Sequence, residues 1–161
     1  MVRLFAMAGL GILSFCAMEG FAWLTHRYVM HGWLWSWHRS HHEPRTGALE
    51  MNDLFFVVFA LPAILLIWLG VNRWPFCLPA GVGVTAYGAV YLFFHDGLVH
   101  ERFALPSVPG RRFWRRRIQA HRIHHAVRTR TGCVSYGFLL ARPPRELKRE
   151  LDAVRRQEAG V

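Results

Sequence analysis

Lysine is almost absent from this 161-residue chain, which has Lys148 as its only lysine beside 19 arginines. Acidic residues are also few, ten against 20 basic ones, so the formal charge is +10. A basic chain can bind nucleic acid. However, 53% of the residues are hydrophobic, which leaves little room for a soluble binding domain in a chain of this length. We therefore expect no nucleic-acid partner; this composition is typical of a membrane protein with basic loops.

Cysteine is rare as well, since the chain has only Cys16, Cys77 and Cys133 and none of them forms a CxxC pair. We interpret them as small buried hydrophobic residues in a reduced compartment. The first 24 residues are apolar but lack the small-residue cleavage pattern of a secretory signal peptide. We expect this segment to belong to the folded protein.

Long hydrophobic runs are abundant, at residues 4–24, 54–71 and 76–94. Each approaches the roughly 20 residues that a helix needs to cross the hydrocarbon core. The short turn at residues 72–75 predicts an antiparallel pair of the second and third helices, and Gly81, Gly83 and Gly88 would let a neighbouring backbone approach closely. The sequence predicts an all-α integral-membrane helical bundle of three, or at most four, transmembrane helices. The fourth apolar stretch, residues 132–141, is too short to span and predicts a re-entrant or interfacial segment.

The basic residues are unevenly distributed. Of the 20, 18 follow either the first or the third apolar run. The positive-inside rule then places these segments in the cytoplasm and the protein in the cytoplasmic (inner) membrane. In the basic tail, residues 142–161, Leu147, Leu151 and Val154 have helical spacing and predict a surface helix on the bilayer or on the protein body. We interpret residues 1–161 as one membrane-embedded domain.

All ten histidines fall into four boxes, within residues 26–42 and 95–125. Two boxes have the form HxxxxH and two the form HxxHH, and the two forms alternate along the chain. Each HxxxxH follows the end of a predicted span, so all four boxes should lie on one side, just beyond the membrane. The boxes consist of His26 and His31; His38, His41 and His42; His95 and His100; and His121, His124 and His125.

The box spacings indicate metal binding. In HxxHH, positions i, i+3 and i+4 share one helix face. In HxxxxH, five residues turn an α-helix by about 500°, so the two rings point about 140° apart. They could meet one ion if the helix bends or ends, or could serve two ions. Ten imidazoles exceed the needs of one tetrahedral zinc site and suit two ions with about five nitrogens each. Imidazole alone does not select iron over zinc, copper or nickel.

Two carboxylates are candidates to hold histidine rings, since a ligand His usually passes its other N–H to a carboxylate or carbonyl. Glu19 lies inside the first run, seven residues before His26 and so on the same helix face. A carboxylate there is costly and usually functional; the alternative is a buried hydrogen bond to a neighbouring helix. Asp96 adjoins the third box. Further candidates are Glu43, Glu101 and Asp53, the last with an N-cap role as its alternative.

Two other groups of residues have open interpretations. Trp23, Trp33, Trp35 and Trp37 could line a substrate route from the lipid, or form an interfacial aromatic belt. An arginine cluster could dock an acidic electron-transfer protein or bind anionic lipid head groups. The cluster consists of Arg111, Arg112, Arg115, Arg116 and Arg117.

The boxes and their surroundings resemble the fatty acid hydroxylase and sterol desaturase superfamily of membrane di-iron enzymes, and within it the bacterial β-carotene 3-hydroxylases. The matching strings are HRYVMHGWLWSWHRSHHEPRTGALEMNDLF, FFHDGLVHERF and AHRIHHA, and the resemblance covers residues 19–140. It implies two iron ions held by the ten histidines (or zinc in the isolated protein), O2 as co-substrate and a ferredoxin-type electron donor. It also implies hydroxylation at C3 of carotenoid β-ionone rings, from β-carotene to β-cryptoxanthin and zeaxanthin, or from keto-carotenoids to astaxanthin.

Two other kinds of function remain open from the sequence. Carotenoid ketolases and fatty-acyl or sterol hydroxylases and desaturases share the histidine spacing. A non-enzymatic metal transporter or store would place its ligands near the bilayer midplane, whereas these boxes lie beyond the ends of the spans. A C40 carotenoid is about as long as the roughly 30 Å bilayer core. Its ring would therefore meet a site at the membrane edge, with access sideways from lipid.

Overall fold

A computed structural model describes residues 1–45, 47–105 and 111–160, without the side chains of Arg111 and Arg112. Within these ranges every regular element is helical. The elements are α1 (Val2–Leu24), π1 (Thr25–Trp33, π-helical), α2 (Trp35–His42), a 3₁₀ turn (Met51–Asp53), α3 (Leu54–Asn72), α4 (Cys77–Tyr91), π2 (Leu92–Val99, π-helical), α5 (Arg111–His124) and α6 (Pro144–Ala159).

Three helical stretches are long and apolar enough to cross a membrane: Val2–Trp33, Met51–Asn72 and Cys77–Val99. The predicted all-α bundle with three spans is therefore confirmed, and no fourth helix of this kind occurs in the described residues. The first and third spans run further than predicted, because α1 continues directly into π1 and α4 into π2. The first HxxxxH box lies wholly within π1, whereas in the third box His95 lies within π2 and His100 is the residue that follows its end.

Helix α4 is the centre of the membrane bundle. Helices α3 and α4 form the predicted antiparallel pair, and α1 packs along α4 as well, whereas α1 and α3 scarcely touch each other. A side chain at Gly83 would collide with the backbone carbonyl of Gly11 in α1, and a Cβ at Gly81 would lie 2.8 Å from Ile67 in α3. Both glycines thus allow close helix approach, as predicted. Gly88 does not, because open space surrounds it.

The segments outside the bundle cover its histidine-bearing end. Of the two positions predicted for the tail helix, α6 takes the one on the protein body, since Leu147 and Leu151 are buried against α5 and Val134. Residues 132–141 have no regular helix or strand. Phe138 of this segment is buried beside Tyr87, so the segment packs on the helix ends. Whether it is re-entrant in a bilayer stays a prediction.

Glu19 joins three parts of the fold. Its carboxylate accepts hydrogen bonds from the Tyr87 hydroxyl at 2.8 Å and from the backbone N–H groups of Phe138 and Leu140 at 3.0 and 2.9 Å. The expected histidine partner is therefore a wrong prediction, and the alternative of a buried hydrogen bond to a neighbouring helix is what the structure has. The reason is geometric: α4 and residues 132–141 both reach this face of α1 and bring donors that need an acceptor.

We expect Glu19→Ala to destabilise the protein strongly, because it leaves three donors without an acceptor, two of them in buried hydrogen bonds. At about 1–3 kcal/mol for each unsatisfied group, with partial relaxation, the loss should be roughly 2–5 kcal/mol. Thermal unfolding in detergent measures it, with Glu43→Ala as the matched control, since Glu43 forms an exposed ion pair with Arg39. An unchanged melting temperature for Glu19→Ala would show that these bonds do not support the fold.

Candidate metal centre

The four histidine boxes converge on two adjoining clusters at one end of the bundle. The five-histidine cluster comprises His26, His31, His38, His42 and His124, and the four-histidine cluster comprises His41, His95, His100 and His121. In each cluster the facing nitrogens lie within 4.8 Å of one another. This spread is close to the roughly 4.2 Å that separates two nitrogen ligands on opposite sides of one ion. His125 borders both clusters, with its Nε2 2.8 Å from Nε2 of His121 and its ring stacked on His42.

The π-helical segments explain the HxxxxH boxes. In a π-helix residue i+5 bonds back to residue i, which places side chains five apart nearly above each other. His100 N donates to His95 O at 3.0 Å, so this bond joins the two histidines of the box itself. His26 and His31 likewise belong to one cluster, with ring centroids 5.2 Å apart. Each HxxxxH box thus serves one cluster, without the bend or the second ion that an α-helix would require.

The HxxHH boxes instead serve both clusters. His38 and His42, four residues apart on α2, face the five-histidine cluster, while His41 between them faces the other. On α5, His121 belongs to the four-histidine cluster and His124 to the five-histidine one. Helices α2 and α5 therefore hold the two clusters side by side, a division that the spacing alone does not reveal.

The outward ring nitrogens of the five-histidine cluster are fixed by acceptor oxygens. Nδ1 of His26 lies 3.1 Å from the Tyr136 carbonyl, Nδ1 of His31 3.1 Å from that of Arg130, and Nδ1 of His42 2.8 Å from that of Val127. Nδ1 of His38 lies 2.7 Å from the Asn52 amide oxygen. Because these oxygens can only accept, each Nδ1 carries the proton, and each neutral ring turns a bare Nε2 lone pair inward.

The inward lone pairs call for a cation. Nε2 of His38 lies 3.1 Å from Nε2 of His26 and 3.2 Å from that of His42, with no proton available to bridge them. Protonation is opposed, since burial and neighbouring histidines lower the pKa of His38 and of His124, and burial lowers that of His42. A metal ion would satisfy all these lone pairs at once, so the residues present fit one. Nδ1 of His124 is buried without a hydrogen-bond partner among the described residues.

Two carboxylates border the four-histidine cluster. Asp96, the candidate from the sequence, lies 2.8 Å from Nδ1 of His95 and is hydrogen-bonded to it. Oε2 of Glu50 lies 3.4 Å from Nδ1 of His41 and has no hydrogen-bond partner among the described residues. Arg102 lies 3.7 Å from Asp96 and pairs at 2.6 Å with Asp53. Burial raises the pKa of Glu50 and lowers that of His100 to about 3, so the His100 ring is neutral and able to bind metal.

Sequence reasoning missed Asn52, Glu50 and Arg102. The signal available was position: Glu50 and Asn52 precede a span at the end where the boxes lie, and Arg102 follows the third box. Three weaker candidates have other roles. Glu43 forms an exposed ion pair with Arg39. Glu101 lies 3.6 Å from Arg122 in a second exposed pair. Asp53 accepts from the Glu50 N–H in a capping box, besides pairing with Arg102.

An apolar cavity of about 380 Å³ leads from the membrane helices to the metal centre. Its far end lies between Ala63 of α3 and Val84 of α4, and its near end reaches three histidines, one on each of π1, π2 and α5. Phe56 and Ile64 line it and are 60% and 61% exposed, so it opens on the lipid-facing side between α1 and α3, which approach each other less closely than either approaches α4. The near-end histidines are His26, His95 and His121.

None of the four tryptophans lines this cavity, and whether they line a substrate route or form an interfacial belt stays a prediction. Trp33 is 75% exposed, Trp23 packs on Tyr28, and Trp37 packs on Phe55. Trp35 lies against His31 and His42, with centroids 5.1 and 5.4 Å apart, and is not among the residues that line the cavity. The cavity is lined instead by phenylalanines, alanines and tyrosines of α3 and α4, whose positions depend on how the helices pack.

The fatty acid hydroxylase profile matches residues 11–141, a range that contains all four boxes. The chain belongs to the fatty acid hydroxylase family. It is 55% identical over 138 residues to a beta-carotene hydroxylase of Pseudescherichia vulneris, covering 85% of this chain and 78% of that protein. A beta-carotene hydroxylase of Pantoea ananas is 51% identical over 145 residues, covering 89% and 82%.

A plant member, beta-carotene 3-hydroxylase 2 of Arabidopsis thaliana, is 37% identical over 151 residues, which cover 91% of this chain and 48% of that protein. No solved structure matches the chain at a significant level. The family profile match ends at Ala141, before α6.

The arginine cluster is only partly available for a partner of this hydroxylase. Arg115 and Arg116 are exposed on α5. Arg117 is used internally, since it donates to the carbonyls of Leu139 and Phe113. The side chains of Arg111 and Arg112 lie outside the described part of the structure.

We expect Asn52→Leu to weaken metal binding by about 10–100-fold, because His38 loses the acceptor that fixes its tautomer and ring orientation. Titration of the metal-free protein with Fe²⁺ or Co²⁺, followed by absorbance and metal analysis, measures the change. Asn72→Leu is the matched control, since Asn72 bonds to Trp68 O at the opposite end of α3. Equal affinity in wild type and Asn52→Leu would exclude a role for this contact in holding the metal.

Proposed function

We propose that this protein is an oxygen-dependent membrane hydroxylase that adds a hydroxyl group at C3 of carotenoid β-ionone rings, converting β-carotene through β-cryptoxanthin to zeaxanthin. The observation that carries the proposal is the cavity, because it joins lipid-exposed side chains such as Phe56 to His26 and His95. The relatives named beta-carotene hydroxylase support the substrate, and the plant beta-carotene 3-hydroxylase supports the position on the ring.

The shape of the cavity suits a long apolar substrate with a reacting end. It lies within the range of about 300–1,000 Å³ typical of ligand pockets. Along α3 its lining is apolar, with Phe59 and Ala63 as examples. Asn52, Asp96 and the histidines lie at the near end. A ring at the near end would meet the metal centre, and the polyene would leave between α1 and α3 toward lipid.

The reaction consumes O2, two electrons and two protons. One oxygen atom enters the new C–O bond and the other leaves as water. Two iron ions, held by the five-histidine cluster and by the four-histidine cluster with His125, would activate O2 for attack on an unactivated C–H bond. The chain orients the histidine rings and excludes water from them. The Nδ1 acceptors fix the rings, and His38, His95 and His124 are at most 2% exposed.

The electrons would come from a ferredoxin-type donor on the side of the bundle that carries the basic loops. The two clusters and most of the basic residues lie at the same end of the helices. The positive-inside rule therefore supports a cytoplasm-facing site in the inner membrane. Exposed Arg115 and Arg116 offer positive charge to an acidic donor, and equally to anionic lipids beside exposed Phe113.

Other activities of the same superfamily receive less support. The names of the bacterial relatives favour carotenoid hydroxylation over ketolation or over fatty-acyl and sterol substrates. Transport is disfavoured by ligand placement, because the histidine clusters lie at the ends of the long helices and not near the middle.

We expect zeaxanthin in a β-carotene-accumulating host that expresses this chain, and only β-carotene with His124→Ala, which removes a fully buried ring from the five-histidine cluster. Pigment chromatography measures the products, and metal analysis of the purified proteins shows whether each variant is loaded. Unchanged β-carotene from well-expressed, metal-loaded wild type would exclude the carotenoid assignment and leave fatty-acyl lipids as the next substrates to test.

A larger side chain in the cavity should block substrate binding without affecting metal binding. We expect Gly88→Leu to lower carotenoid turnover at least about tenfold, since a Cβ at Gly88 meets nothing within 4 Å and its side chain would occupy the cavity. Gly20→Leu is the matched control: Gly20 is also a helix glycine with open space around it, but it faces outward on α1. Both changes should raise helix propensity by up to about 1 kcal/mol.

The comparison is decided by the ratio of turnover to bound metal in the two variants. Normal turnover by metal-loaded Gly88→Leu would show that the substrate does not use this cavity. Equal losses in both variants would point to a general effect on the bundle.

A further inference from the structure

We propose that the Tyr91 hydroxyl recognises an oxygen function on the ring next to the reacting carbon, so that the protein prefers rings with a carbonyl at C4 over plain rings. This inference rests on the proposed function and adds to it a determinant of substrate preference. Tyr91 is the last residue of α4, lines the cavity and lies beside the metal centre.

Tyr91 is rigidly placed. Its ring stacks on His95 at a centroid distance of 4.6 Å and an interplanar angle of 25°. On another side it packs on Phe138, with centroids 4.7 Å apart. His95 belongs to the four-histidine cluster, so the phenol is one ring away from the proposed ligands. A group held in this way offers its hydrogen bond with little loss of conformational freedom on binding.

The Tyr91 hydroxyl makes no hydrogen bond within the described part of the chain, whereas the two other hydroxyl groups of α4 that line the cavity do. Tyr87 donates to Glu19, and Thr85 donates to Gly81 O, although both line the same cavity. Asn52 holds His38. Tyr91 has no hydrogen-bond partner among the described residues, and its oxygen is not among the sealed polar atoms that lack one. Two hydroxyls of this lining lack a hydrogen bond to any described residue, those of Tyr91 and Tyr136, and Tyr136 also borders an outer groove. Tyr91 is the one stacked on a histidine of the metal centre, so the cavity is suited to a substrate with a polar group at its reacting end.

A carbonyl is the oxygen function that fits best. A ketone can only accept, and the phenol can donate to it. The carbon at C4 adjoins C3, so its oxygen would lie at the near end of the cavity together with the reacting carbon. A plain ring would leave the hydroxyl without a partner in apolar surroundings, and that penalty generates preference between two otherwise similar rings.

The test uses a carotenoid with one 4-keto ring and one plain β-ring, so that both rings reach the protein at the same concentration. Chromatography and mass spectrometry of the first hydroxylated products give the ratio of keto-ring to plain-ring hydroxylation. We expect wild type to favour the keto ring and Tyr91→Phe, which keeps both ring contacts, to lower that ratio by about 3- to 10-fold. Because both rings belong to the same molecule, a general loss of activity lowers both rates equally and leaves the ratio unchanged.

Each other outcome contradicts the inference. An equal ratio in wild type and Tyr91→Phe would show that the hydroxyl does not distinguish the two rings. Loss of hydroxylation at both rings in Tyr91→Phe would give Tyr91 a role common to all substrates. Tyr136, which lines both the cavity and an outer groove, provides the comparison. If Tyr136→Phe changed the ratio of keto-ring to plain-ring hydroxylation and Tyr91→Phe did not, Tyr136 and not Tyr91 would be the residue that recognises the ring. Failure of wild type to hydroxylate either ring would instead exclude the proposed function.

Discussion

The convergence of buried, neutral imidazoles on two points is the constraint on which the rest of this structure depends. Each Nδ1 proton of the five-histidine cluster with an assigned partner is given to a carbonyl or amide oxygen, which leaves Nε2 lone pairs facing one another. Such an arrangement is unfavourable without a cation, because neither protons nor water can satisfy every nitrogen. Metal binding and folding of this end of the protein should therefore be coupled.

The helices show the effect of that constraint. α-Helical hydrogen bonds are better than π-helical ones, yet both long helices change to π geometry where an HxxxxH box begins to face its cluster. Residues 126–141 form no regular helix or strand, and three of their carbonyls become the acceptors for His26, His31 and His42. Irregular backbone is tolerable here because its polar groups are occupied by the histidines and by Glu19.

Glu19 and Tyr91 illustrate how polar groups near a membrane acquire different roles. Glu19 is fully engaged by three donors and joins α1, α4 and the segment after the last box. Tyr91, one helix turn beyond Tyr87, keeps its hydroxyl available and faces the cavity. The same packing of α1 and α3 on α4 that satisfies the first leaves a lipid-facing cleft beside the second. The hydrogen bonds that stabilise the fold and the proposed substrate route therefore depend on the same arrangement of three helices.

The sequence by itself determined the helical class, the three spans, the antiparallel pair and the set of histidines, since apolar run length and box spacing depend only on residues near one another in the chain. It also indicated two metal positions and placed Asp96 beside a box. It did not determine which histidines share a cluster, because that depends on π-helical turns favoured by contacts between α2, α5 and the long helices. The partners Asn52, Glu50 and Arg102, the role of Glu19, and the lining of the cavity were likewise decided only in the tertiary structure, where groups as far as 121 residues apart in the chain come into contact.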